Sequence, residues 1–300
     1  VKEQPVATTS ISRVDGRASL TLSITKTPDA NTVTVSHGVN AKLAELEQSL
    51  GGGAKFVTVF DQAPYIEQSV HDLTVEGGIG LAIARALAAD GVRVVVGSRS
   101  GQAPDGLAAV PLDVTDSASV DAAFDAAEQL LGGPVEILVA NAGVTRDQLL
   151  MRLSDDEIDA VVQTNLVGAI RCARRASRGM IRLKRGRMIF ISSVVGLNGS
   201  PGQVGYAATK AALVGVARSI TRELGGRKIT ANVVAPGFID TDMTAELGED
   251  LRTTYRSQIP AGRFGDPADV AAACVFLASP DAAYVSGAVL PVDGGLGMGH

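Results

Sequence analysis

The sequence predicts an α/β protein with a doubly wound parallel sheet and a small N-terminal βαβ extension. Three observations carry this. Apolar runs at residues 92–96, 135–140, 187–191 and 229–235 are short and nearly continuous, as strands covered on both faces are. Ala-rich stretches with helical spacing lie between them, at residues 118–131, 154–175 and from Tyr206 onward. The joints are rich in Gly, Pro, Asn and Asp, as in residues 97–100 and 194–205.

The totals agree with that class. The chain has 300 residues, 46% of them hydrophobic, and 34 glycines, enough for a large core in α/β layers. A net charge of −5 argues against general nucleic-acid binding. Cys172 and Cys274 both fall in apolar helical patterns, so they read as core residues of a protein in a reducing cytoplasm. His37, His71 and His300 show no metal-ligand spacing. No apolar run reaches bilayer length, and the first residues do not form a signal peptide.

Residues 1–15 are polar and read as loose chain. Residues 18–25 alternate polar and apolar, a half-buried strand, and Pro28 to Asn31 make a turn. Residues 33–50 read as a helix with Val35, Val39, Leu43, Leu46 and Leu50 roughly on one side, ended by Gly51, Gly52 and Gly53. Residues 56–60 (Phe-Val-Thr-Val-Phe) are a second strand. The unit spans residues 1–65 and reads as a docking or ligand-binding module, or as a fused fragment; the larger domain is residues 66–300.

At the junction, residues 71–81 read His-Asp-Leu-Thr-Val-Glu-Gly-Gly-Ile-Gly-Leu, and residues 80–90 read as a helix. Gly78, Ile79 and Gly80 form a Gly-x-Gly at its start, where backbone N–H groups can meet a phosphate. Residues 92–96 form the next strand, followed by Arg99. An NAD enzyme places an acid there, whereas an arginine accommodates the 2′-phosphate of NADP. The alternative is a solvated loop arginine. Residues 110–114 and 135–140 are further strands, and Ser154 caps a helix opened by Asp155, Asp156 and Glu157.

The chemistry gathers at residues 192–210. Ser192 and Ser193 stand where the apolar run 187–191 ends, and a Gly-rich loop leads to Tyr206 and Lys210. Four residues apart on a helix, these two share a face. An ammonium beside a phenol favours the phenolate, which makes a proton donor usable near neutral pH. A strand-end serine can hold the oxygen that is protonated. The implied reaction is reversible reduction of a carbonyl.

This stretch resembles the active site of the short-chain dehydrogenase/reductases, most of all the bacterial 3-oxoacyl-acyl-carrier-protein reductases, over about residues 78–300. The resemblance implies a Rossmann-type sheet, an NADP cofactor, a cytoplasmic homotetramer and a place in fatty acid synthesis. It implies catalytic roles for Ser193, Tyr206, Lys210 and Asn165, the last holding a relay water. Tyr206 and Lys210 would also touch the cofactor. It places Asp113 at the adenine, and Asn141, Ala142 and Gly143 beside the adenosine ribose. Pro236, Gly237, Ile239 and Thr241 fall in the loop that holds the nicotinamide carboxamide, and the residues onward to Phe264 in a substrate lid. Lys184 and Arg227, beside Arg174, Arg175, Arg178, Arg182, Arg185 and Arg187, fall where such enzymes dock the acyl carrier protein.

The sequence departs from the family at one place. The family's Thr-Gly-x-x-x-Gly-x-Gly puts its first glycine at Thr74, and acidic Glu76 stands in the loop. The first strand is thus atypical or replaced. Residues 1–77 are similar to a periplasmic piece of resistance-nodulation-division efflux transporters. Three other readings stay open: a reductase of acyl-CoA or a secondary alcohol, a catalytically silent fusion, and a binding module.

Overall fold

The computed structural model describes residues 12–14, 17–19, 32–50, 78–104, 106–240 and 249–298. The chain divides into two compact units, residues 1–64 and 65–300. In the first, β1 (Ser12–Val14) and β2 (Arg17–Ser19) pair antiparallel, so part of the stretch read as loose is a strand. Helix α1 spans Thr32–Leu50, as its apolar spacing predicts. The expected second strand at 56–60 lies outside the described residues, as does most of the first.

The second unit begins with helix α2 at residues 78–89, then β3 (Val95–Ser98), β4 (Ala108–Pro111), α3 (Ser117–Leu131) and β5 (Ile137–Ala140). Helix α4 (Asp155–Val161) starts at the predicted cap: the Ser154 hydroxyl accepts from the Glu157 N–H, and Glu157 returns to Ser154. It runs through a π-helical turn, Val162–Gly168, into α5 (Ala169–Leu183). Then come β6 (Gly186–Ile191), the short α6 (Val195–Asn198), α7 (Val204–Leu224), β7 (Ile229–Pro236), α8 (Glu249–Gln258), α9 (Pro267–Ala278) and β8 (Val289–Val292).

All these strands run parallel, but among the described residues they form two sheets. One is β3–β4; the other is β5–β6–β7–β8. Helices cover both faces of the larger sheet. Its β6 and β7 are buried almost throughout, with Phe190, Val233 and Val234 fully so. Every residue of β5, by contrast, is half-exposed. A cavity of about 950 Å³ separates β3 from β5, at the position the family's first strand takes in a doubly wound sheet.

Two strands differ from their sequence-predicted bounds. The β3 ladder covers 95–98 rather than 92–96, and β4 covers 108–111 rather than 110–114. Apolar character alone does not fix register; pairing does. Asp113 therefore lies beyond the strand, in the turn leading to α3.

Candidate functional site

Helix α7 carries the centre of the site. Its buried face is Tyr206, Thr209, Lys210, Leu213 and Ala217, the i, i+3, i+4, i+7 and i+11 positions of one stripe. Tyr206 stands in the first turn, since the helix begins at Val204 rather than at the tyrosine. Lys210 is 1% exposed and Tyr206 6%. The Lys210 ammonium donates to the Ile191 carbonyl at 3.1 Å and sits 5.3 Å from the centre of the Tyr206 ring. A buried ammonium needs such partners.

The end of β6 is stitched to this helix. The Ser192 hydroxyl donates to the Lys210 carbonyl at 2.8 Å, and the Ser192 N–H donates to Val234 at 2.7 Å. Ser193 follows, half-buried, its hydroxyl accepting from the Val195 N–H at 3.2 Å. Gly196 then passes so close to α7 that a Cβ there would lie 2.9 Å from the Lys210 Cβ and the Ala211 nitrogen.

Asn165, 2% exposed, lies inside the π turn. Its Oδ1 accepts from the Val144 N–H at 2.8 Å. Its Nδ2 donates to the Val144 carbonyl at 2.9 Å and to the Thr209 hydroxyl at 3.2 Å. The side chain thus bolts the loop after β5 to α7. Thr209 in turn donates to the Tyr206 carbonyl at 2.8 Å. Ser192 and Thr209 were not picked out as site residues from the sequence. A hydroxyl at Tyr206+3 on an otherwise apolar stripe is the signal that could have found Thr209. A second tie is buried as well: Asp147 accepts from Thr145 and, at 2.9 Å, from the Gln203 amide. No sequence pattern announces it.

The residues that the resemblance assigns to the cofactor lie along the same carboxyl edge. Gly78, Ile79 and Gly80 fall in the first described turn of α2. A Cβ on Gly80 would lie 2.7 Å from the Asn141 Nδ2, so this glycine lets α2 press against the end of β5. Asn141, Ala142 and Gly143 follow β5 directly. Pro236 ends β7, and a Cβ on Gly237 would meet Asp293 at 2.7 Å. Ile239 is buried and bridges Gly265. Helix α8 packs on this turn: Tyr255 lies 4.8 Å from Phe238, and Arg252 pairs with Asp240 at 3.1 Å. Thr241, and much of the predicted lid, lie outside the described residues.

Arg99 is exposed in the turn after β3 and close enough to Asp113 to act on its charge. The Asp113 carboxyl is held below its ordinary value, first by the Thr115 hydroxyl and then by the Thr115 N–H, with Arg99 and Arg171 adding to it. Gly80, which lets α2 pack on the end of β5, and the exposed cation of Arg99 after β3 fit a dinucleotide. Thr74 and Glu76 lie outside the described residues. Among the described residues no group of His, Cys, Asp and Glu could hold a metal ion, and no helix is long and apolar enough to cross a membrane.

The basic cluster separates. Arg175 turns inward to Asp121, Asp125 and Glu128, and Arg185 pairs with Glu136 at 2.7 Å. Lys184 and Arg227 are exposed just before β6 and β7. They stand at the amino edge of the sheet, opposite Ser193.

A parallel sheet with a Ser, Tyr and Lys constellation at its carboxyl edge defines a class, and the comparisons agree: the chain belongs to the short-chain dehydrogenase/reductase family. The family model described as Enoyl-(Acyl carrier protein) reductase matches residues 74–297. Among individual relatives, the chain is 55% identical over 237 residues to the 3-oxoacyl-acyl-carrier-protein reductase MabA of Mycobacterium tuberculosis (strain ATCC 25618 / H37Rv), covering 79% of this chain and 96% of that protein. It is 45% identical over 229 residues to the FabG reductase of the same description from Vibrio cholerae, covering 74% and 93%. For FabG of Escherichia coli (strain K12) the identity is 44% over 229 residues, again 74% and 93%. Residues 1–87 are similar to the AcrB/AcrD/AcrF family. The two family matches overlap at residues 74–87, a stretch that includes most of α2.

Proposed function

We propose that this chain reduces a 3-oxoacyl thioester on acyl carrier protein to the 3-hydroxyacyl thioester, with NADPH as reductant. The observation that carries the reading is the buried Lys210, fixed to Ile191 and set beside Tyr206 at the end of the strand bearing Ser193. The names of the relatives support the substrate class.

The cofactor, when bound, supplies a hydride to the carbonyl carbon. Ser193 holds the carbonyl oxygen and Tyr206 gives it a proton. Lys210 keeps positive charge beside the phenol and reaches the nicotinamide ribose. Asn165 anchors the relay that returns a proton. Gly78, Ile79, Gly80, Asn141, Ala142, Gly143, Pro236, Gly237, Ile239 and Thr241 hold the dinucleotide, with Asp113 at the adenine and Arg99 at its 2′-phosphate. Lys184 and Arg227 dock the carrier protein, and the working form is a homotetramer. From that docking point Ser193 is roughly 20 Å away, the span of a six-residue strand at about 3.3 Å per residue.

One observation favours a second reading, the catalytically silent fusion: among the described residues no strand pairs with β5 at the position where the family's first strand would lie. NADPH titration followed by fluorescence separates the two. Saturable binding, with thioester reduction that Tyr206→Phe abolishes, upholds the reductase. No binding at millimolar NADPH rejects it. Acetoacetyl-CoA and a simple secondary alcohol, run beside the carrier-linked substrate, fix the substrate class.

A further inference from the structure

Arg171 lies on α5, just past the π turn, and its guanidinium reaches two places at once. One terminal nitrogen donates to the Val114 carbonyl at 3.2 Å, and the other donates to the Gln163 side-chain oxygen, also at 3.2 Å. Val114 stands in the turn after β4, and Gln163 in the π turn itself. Gly168 meets the same turn from one helical turn earlier: a Cβ there would lie 2.7 Å from a Val114 methyl and 3.2 Å from its carbonyl oxygen. The helix therefore closes on Val114 with bare backbone and holds its carbonyl with a charged donor.

Val114 follows Asp113 directly. The Asp113 carboxylate accepts from the Thr115 N–H at 2.9 Å and from the Thr115 hydroxyl at 2.7 Å, and the Asp113 N–H donates to the Ser119 hydroxyl at 2.9 Å. All three bonds lie within residues 113–119, so they shape the turn but do not seat it on α5. Asp113 is exposed, and the direction of an exposed carboxylate depends on how firmly its backbone is seated.

We propose that Arg171 is a positioning residue for the adenosine half of the cofactor: it seats the turn at residues 113–115, and so the Asp113 carboxylate, without touching the dinucleotide. This rests on the reading of Asp113 as the adenine contact. Asn165, two residues past Gln163, keeps its own bonds to Val144 and Thr209, so the catalytic end holds its geometry when the guanidinium is lost. The effect falls on cofactor capture and leaves turnover alone.

The test uses the full chain with Arg171→Met, which keeps the stem, and Arg171→Lys, which keeps the charge and one donor. Amide hydrogen exchange without cofactor reads the turn, and calorimetric titration with 2′,5′-ADP reads the adenosine end. In Arg171→Met the Thr115 amide should exchange roughly tenfold faster. Loss of one hydrogen bond from a charged donor should weaken 2′,5′-ADP binding about tenfold, and KM for NADPH should rise by the same factor at unchanged kcat. Arg171→Lys should fall between parent and Arg171→Met in each measurement, and it carries the test alone if Arg171→Met does not fold. Unchanged Thr115 exchange overturns the seating of the turn. Faster exchange with unchanged 2′,5′-ADP affinity, or a fall in kcat at unchanged KM, overturns the link to adenosine. A parent chain that binds no 2′,5′-ADP at millimolar concentration removes the Asp113 reading and this inference with it, a failure told apart from the others because it shows before any substitution.

Discussion

Replacing Arg175 tests how the β3–β4 half of the second unit is held to the rest. Arg175 on α5 is nearly buried, lies 5.5 Å over the Phe124 ring, and reaches Asp121 at 3.5 Å, Glu128 at 3.3 Å and Asp125, all on α3. Among the described residues no strand pairs β3 with β5, and this cluster ties α3 to α5, beside the Arg171 guanidinium donating to the Val114 carbonyl at 3.2 Å. Arg175→Met keeps the stem and removes the charge. Hydrogen bonds to charged groups contribute about 1.5–3 kcal/mol each when well buried. Asp121 and Asp125 side chains are 57% and 68% exposed, so their share shrinks toward the surface-pair range of about 0.2–1 kcal/mol. Glu128, 21% exposed, keeps more. Adding about 0.5–1 kcal/mol for the contact with Phe124, and allowing for the guanidinium's own desolvation, the net loss should be about 2 kcal/mol. For a unit of this size that lowers Tm by roughly 4–8 °C. Urea unfolding and differential scanning calorimetry measure it, and Arg175→Lys should recover about half. Equal or greater stability in Arg175→Met would refute the reasoning, since it would mean the buried cation costs as much as its partners return.

Three other outcomes follow from the same geometry. Gly196→Ala should push α7 away from the β6 end, because the new Cβ meets backbone and Lys210 at 2.9 Å; carbonyl reduction should fall by tenfold or more, an estimate from a displacement of under 1 Å at a reacting group, and NADPH affinity should weaken with it because Lys210 also reaches the nicotinamide ribose. Ser154→Ala should cost about 1 kcal/mol at pH 7. Glu157 is held below its ordinary 4.5 by the Ser154 N–H and then the hydroxyl, so its contribution is full above pH 4.5 and is lost as pH falls through the lower folded value; the penalty in urea titrations should therefore shrink as pH falls below 4.5. Burial pushes the Cys172 and Cys274 thiols up to about 11 and about 12, so neither should react with iodoacetamide at pH 8 in the native protein and both should react in urea.

Much of this was legible in the sequence because it is local. The Ser154 cap, the Gly-x-Gly start of α2, and the Tyr206–Lys210 stripe each depend on neighbours within one helical turn. What stayed hidden depends on distant partners. The β3 register is set by β4, more than ten residues on. The sequence reading of Asn165 as a water holder did not show that its amide is engaged with Val144 and Thr209, 21 and 44 residues away. Nor could seven basic residues in a row of turns reveal that Arg175 faces inward and Arg185 meets Glu136. The anomaly at residues 71–77 was legible as a broken pattern; that the described strands form two sheets required the fold.

The π turn at Val162–Gly168 sets the phase of everything after it. One residue advances an α-helix by about 100°, so a wide turn in mid-helix rotates the following segment relative to an uninterrupted one. Regularising that turn to α geometry without removing a residue would swing Ala176 and Met180 off the core and aim Arg174 or Arg178 at it, whereas removing one residue would restore the α-helix with α5 still in phase. The amide that Asn165 presents to α7 and the oily side of α5 are therefore written in one reading frame. An evolutionary or designed change that straightens the helix for stability has either to drop one residue from the turn or to rewrite the fifteen residues of α5 at the same time.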